Sequence, residues 1–178
     1  MRYLIIVRNP GYTPSDRPQL MARLRGLGLR VINVRVATDH VEVDLDTEDV
    51  AKVLPIVIAN IGCVIDVVDL SVERRVVDPL GEFVRLFNAE RYWEAHEVLE
   101  GVWRVSGDVG IQGLIVLAAA YVKLQEGNPE AFMRLLERAS ELIMRGNPRG
   151  VDTREIMRVI EEIMRVKKPI KLKLSIVK

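Results

Sequence analysis

The chain has 178 residues, 49% hydrophobic and 29% charged, a balance that excludes disorder along its whole length and suits one ordinary domain or two small ones. Its 26 basic and 25 acidic side chains nearly cancel, so no global field draws it to nucleic acid or to an anionic membrane. One cysteine and two histidines exclude an internal disulfide and a closed Cys/His zinc site, so any metal must rest on carboxylates.

Residues 2–9 are rich in Leu, Ile and Val and stop at Asn9-Pro10-Gly11, which reads as a strand ended by a turn. The apolar run is far shorter than the ~18 residues of a membrane span and lacks a signal-peptide cleavage site, so a cytoplasmic location is expected. Ser15 or Asp16 caps a helix carrying Leu20, Met21, Leu24 and Leu27. Residues 29–36 and 40–45 read as a hairpin around Ala37-Thr38-Asp39, because Val41, Val43 and Leu45 alternate with Glu42 and Asp44. Thr47 is read as opening a second helix, with Glu48 and Asp49 in its first turn, and residues 63–70 as the last strand. The order β-α-β-β-α-β over residues 1–70 is the split unit of ferredoxin-like folds.

Residues 71–78 read as a linker, and residues 79–168 show helical periodicity. Pro79 suits a first turn, Gly107 and Gly110 break the chain, and Gly127-Asn128-Pro129 and the run from Gly146 to Gly150 separate later helices. Five helices on short turns make a bundle, giving an α+β chain overall. Residues 169–178 carry a basic tail in which Ile170, Leu172, Leu174 and Ile176 alternate with Lys171, Lys173 and Ser175. That pattern predicts an edge strand added to the N-terminal sheet, with phosphate binding by the tail as the only route to nucleic acid. Scarce Cys and Gln with abundant Val, Ile, Arg and Glu point to a thermophilic source.

The chemistry concentrates on the second helix of the bundle. Tyr92, Ala95, Val98, Leu99, Val102 and Trp103 form an apolar stripe, and Glu94, Glu97, Gly101 and Arg104 lie opposite. His96 and Glu100 fall at the seam, one turn apart, beside Trp103 and Trp93 respectively. A His and a carboxylate at i, i+4 chelate one divalent ion or form a structural hydrogen bond, and both readings stand on spacing alone. Helical geometry turns Glu97 about 100° from His96. The next helix is apolar on nearly every face, and Gln112 near its start is placed to reach His96 or Glu100.

The string from Phe87 through Tyr92-Trp93-Glu94-Ala95-His96-Glu97 and Glu100-Gly101-Val102-Trp103-Arg104, followed by Gln112-Gly113-Leu114-Ile115, Ala118-Ala119-Ala120-Tyr121 and Gly127-Asn128-Pro129, resembles the family known as domain of unknown function 309. The resemblance spans about residues 80–165. It implies an all-helical fold and the inferred label of a metal-dependent hydrolase resting on His96, Glu97 and Glu100, with Gln112 nearby. It also implies a second histidine near position 123, where this chain has Lys123.

Two functions follow as expectations. One is a helical module that binds a small molecule or a protein partner, joined to a ferredoxin-like domain that dimerises or senses a ligand. The other is hydrolysis at a divalent ion held by His96 and Glu100, Mg²⁺ or Mn²⁺ rather than Zn²⁺, with Glu97 or Glu94 as general base. Trp93, Trp103, Gln112 and Tyr92 are the residues expected to line the ligand.

Overall fold

The computed structural model describes residues 1–72 and 76–177, so the linker reading at 71–78 and Lys178 of the tail fall partly outside the described residues. The chain divides into two compact units, Met1–Arg75 with Gln125–Gly127, and Val76–Leu124 with Asn128–Lys178. No helix among the described residues is long and apolar enough to cross a membrane.

In the first unit the elements run β1 (Arg2–Arg8), α1 (Arg17–Gly26), β2 (Arg30–Val36), β3 (His40–Asp46), α2 (Val50–Asn60) and β4 (Val64–Asp69). The strands form one antiparallel sheet in the order β2-β3-β1-β4. Four consecutive residues of β1, Leu4 to Val7, are buried in this strand, which lies inside the sheet between β3 and β4. Ile5 and Val7 meet Val43 and Val41 across the ladder and pack with Val34 and Val36 of β2, with Leu20 and Leu24 of α1, and with Val53 and Val57 of α2. The alternate positions of β3, His40, Glu42 and Asp44, therefore point to the opposite face.

The hairpin turns at Ala37-Thr38-Asp39 as the alternation requires, closed by a bond from the Ala37 N–H to the His40 carbonyl. The second helix starts later than expected. Asp49 is its N-cap, accepting from the Ala51 N–H, while the Thr47 hydroxyl accepts from the Asp49 N–H one step earlier. Two cap-forming side chains stand in succession, and the carboxylate is the one that meets the helix dipole.

The second unit holds α3 (Pro79–Asn88), α4 (Tyr92–Ser106), α5 (Val109–Gln125), α6 (Pro129–Gly146) and α7 (Thr153–Val166). Asp78, Asn128 and Asp152 cap α3, α6 and α7 with their side-chain oxygens, and proline follows directly in the first two. Leu114, Leu117, Ala118, Ala120 and Tyr121 of α5 are all buried. Glycine lets this helix approach α6: a Cβ on Gly113 would lie 2.9 Å from the Ile143 backbone nitrogen, and one on Gly146 would overlap the Gly110 backbone. Tyr121 stacks edge-on against Phe87 and Phe132 at 5.3 Å, joining α3, α5 and α6 in one aromatic core.

The tail corrects the expected edge strand. Among the described residues the sheet has four strands and takes no fifth. Residues 170–177 instead lie against the helical unit, with Leu172 and Leu174 in its core and one antiparallel bridge between Val151 and Ile176. The alternation itself is real, since the leucines are buried and the lysines exposed. Asn88 and Tyr121 satisfy the backbone of the segment as a neighbouring strand would.

Candidate functional site

Helix α4 carries the site and is fixed at both ends. Arg91 at the N-cap grips Glu94 with both arms of its guanidinium, Nε to Oε1 at 2.5 Å and Nη2 to Oε2 at 2.8 Å, and Gly107 closes the helix in the left-handed conformation. Tyr92, Ala95 and Leu99 enter the core, and Trp93, Val98 and Trp103 pack against it from the flank. His96 and Glu100 stand at the border with solvent, their side chains 27% and 26% exposed, and Glu97 beyond them is 47% exposed.

The three side chains converge. His96 Nδ1 lies 3.2 Å from Glu97 Oε1 and 3.7 Å from Glu100 Oε2. One ligand atom from each residue falls within 4.8 Å of the others, a spacing that one divalent ion can bridge. With its proton on Nδ1 the imidazole donates to the carboxylates, and with its proton on Nε2 it offers Nδ1 as a third ligand beside them. The other oxygen of Glu100 accepts from Arg104 Nη2 at 2.7 Å. That bond raises the guanidinium's already high pKa, so Arg104 remains a fixed positive charge at the rim.

The other residues singled out on sequence are distributed differently. Glu94 is buried and held by Arg91, which removes it from the role of general base. Tyr92 lies in the aromatic core, 4.8 Å from Phe87 and 5.0 Å from Tyr121. Burial, reinforced by the nearby Glu90 carboxylate, pushes its phenol well above the ordinary tyrosine range. Gln112 is half-buried in the first turn of α5 and, among the described residues, makes no side-chain hydrogen bond to His96 or Glu100. Trp93 and Trp103 serve the core edge.

Azimuth alone separates Glu97 from His96, yet their side chains meet, because three rotatable bonds carry the carboxylate back along the helix surface. Arg104 was legible as an i, i+4 partner of Glu100.

A second histidine cluster lies on the sheet. Arg35 donates to Glu42 at 3.3 Å and to Asp44 at 3.4 Å, Arg2 grips Asp44 at 2.9 and 2.7 Å, and His40 Nε2 stands 3.6 Å from Glu42 Oε1. The hairpin register, which sets Arg35 opposite Glu42, was the available signal. A cleft of about 410 Å³ in the same unit is lined by residues that include Leu29, Arg30, Asp46, Asp49 and Lys52, and by none of the residues that the sequence proposes for metal, catalysis or ligand binding.

Residues 80–135 match the family model described as Domain of unknown function (DUF309), a stretch from α3 into the first turns of α6 that contains the whole of α4. No match is found among the curated proteins or among the solved structures.

Proposed function

We propose that the chain is a divalent-cation-binding helical module joined to a ferredoxin-like domain, with the ion held by His96, Glu97 and Glu100. The observation that carries this reading is the convergence of three ligand atoms within 4.8 Å on a solvent-accessible helix surface. One imidazole with two carboxylates is an oxygen-rich set suited to Mn²⁺ or Mg²⁺. The strand order of the first unit fits the ferredoxin-like topology that its element order suggests. A module is favoured over an enzyme because Glu94 is consumed by Arg91 and Glu100 is shared with Arg104, which leaves few acids for proton transfer.

The test is thermal unfolding in the presence of Mn²⁺. An ion that binds only the folded chain raises the melting temperature with concentration, and His96→Ala and Glu100→Gln should abolish the rise while leaving the far-ultraviolet circular dichroism unchanged. An identical response in the wild type and both variants would remove the site. One observation favours a second reading, hydrolysis: Glu97 is the most exposed of the three and so can reach a water held by the ion. Glu97→Gln separates them. As a ligand its loss weakens Mn²⁺ binding, whereas as a base its loss stops turnover of an ester or phosphoester with binding retained.

A further inference from the structure

The C-terminal segment is held in the manner of a bound peptide. The Asn88 side-chain amide clamps the backbone of Leu174 from both sides, its Oδ1 accepting from the Leu174 N–H at 2.8 Å and its Nδ2 donating to the Leu174 carbonyl at 2.9 Å. Tyr121 donates its hydroxyl to the Ile170 carbonyl at 2.7 Å. The Asp152 N–H donates to the Ser175 carbonyl and the Val177 N–H to the Gly150 carbonyl, both at 3.1 Å. Lys171 pairs with Glu90, and Leu172 and Leu174 fill the core between these anchors. Main-chain bonds with alternate side chains in pockets are the mode by which folded domains take up an extended strand.

None of these interactions requires the segment to come from the same chain. We propose that a second copy of this chain also supplies it: residues 170–177 exchange between two copies, each filling the other's groove, to form a closed two-fold dimer. The groove is complementary to this sequence itself, to leucines two apart with a lysine placed for Glu90, which makes a second copy the fitting occupant.

The connection that precedes the segment favours opening. Lys167 ends α7 in the left-handed conformation, φ 56°, a place that suits glycine and strains a lysine. Lys168 and Pro169 follow, all three exposed, with Arg165 close by in sequence and the residue before proline restricted to extended conformations. Swinging outward relieves the left-handed residue and spreads like charges, while each hydrogen bond broken within one chain is re-formed with the other. At low concentration the tethered segment has the advantage of high local concentration, so the closed monomer gives way to the dimer as concentration rises.

Two full-length variants test the exchange, each with the exposed Cys63 replaced by serine. One carries Val151→Cys and the other Ile176→Cys, the two sides of the antiparallel bridge. The variants are mixed, warmed and concentrated, then oxidised. A covalent heterodimer in several-fold excess over either covalent homodimer is expected; a statistical mixture of the three would overturn the proposal. Light scattering of the wild type gives an independent reading. The dimer fraction should rise with concentration, and Lys167→Gly, which removes the strain of the closed form, should lower it several-fold. A wild-type chain that remains monomeric up to millimolar concentration after warming, or one whose dimer is insensitive to Lys167→Gly, would equally overturn it.

Discussion

Both histidines of the chain sit beside carboxylates, and the two clusters have opposite characters. On the sheet, Glu42 and Asp44 are fully buried and answered by arginine, Asp44 by Arg2 and Arg35 together and Glu42 by Arg35. On α4, Glu97 and Glu100 meet His96 near the surface, with Arg104 paired to Glu100 and within electrostatic reach of Glu97. The same residue types therefore do different work according to what else is in reach. Where guanidinium groups are already paired with the buried acids, the cluster holds structure. Where an imidazole and two carboxylates converge at the surface and water has access, an added cation meets three ligand atoms already close together.

Replacement of Arg35 by alanine gives the largest expected effect, because it leaves Glu42 and part of the demand of Asp44 as uncompensated buried charge. The expected loss is about 3–5 kcal/mol in chemical denaturation. The double replacement Arg35→Met, Glu42→Leu should recover much of it, and a double variant as unstable as the single one would show that the pair does more than neutralise itself. Trp103→Ala comes next. The indole packs against the helical core from its flank, so truncation should cost about 2–3 kcal/mol, somewhat under the value for a fully enclosed tryptophan.

His96→Ala should cost under about 1 kcal/mol, since a ring at the border with solvent leaves little enclosed void, while removing the response to Mn²⁺. Losses of equal size for Trp103 and His96 would move the α4 cluster into the structural class occupied by the sheet cluster. The smallest effect belongs to Arg104→Gln. An exposed ion pair contributes little, so Mn²⁺ should bind at most a few-fold more tightly once Glu100 is released, read by calorimetric titration. Weaker binding instead would mean that Arg104 orients Glu100 for the ion.

Much of the architecture was written locally. The alternation in residues 40–45 specifies which side chains of β3 meet the helices, since a strand has period two and only one parity is apolar. The helix ends followed from Pro79, Gly107, Gly127-Asn128-Pro129 and the run from Gly146 to Gly150, and the caps the structure adds at Asp78 and Asp152 lie beside them in sequence, because caps act on backbone groups one turn away. The pairing of His96 with Glu100 followed in the same way from 3.6 residues per turn.

Other features lay beyond local reading. Alternating leucines and lysines in residues 170–177 specify a segment with one buried edge, yet nothing in that pattern says whether a sheet or a groove among helices will bury it. The decision rested with Asn88 and Tyr121, more than 45 residues away along the chain, which offer the hydrogen bonds of a strand without being one. Glu94 and Glu97 likewise look equivalent on a helical wheel. Arg91 withdraws the first, and the rotamer of the second brings it to His96. Short-range periodicity and capping act through backbone geometry and are contained in the sequence order itself. The choice of partner for a polar or half-apolar group depends on which distant side chains arrive within about 3 Å, and only the folded chain determines that.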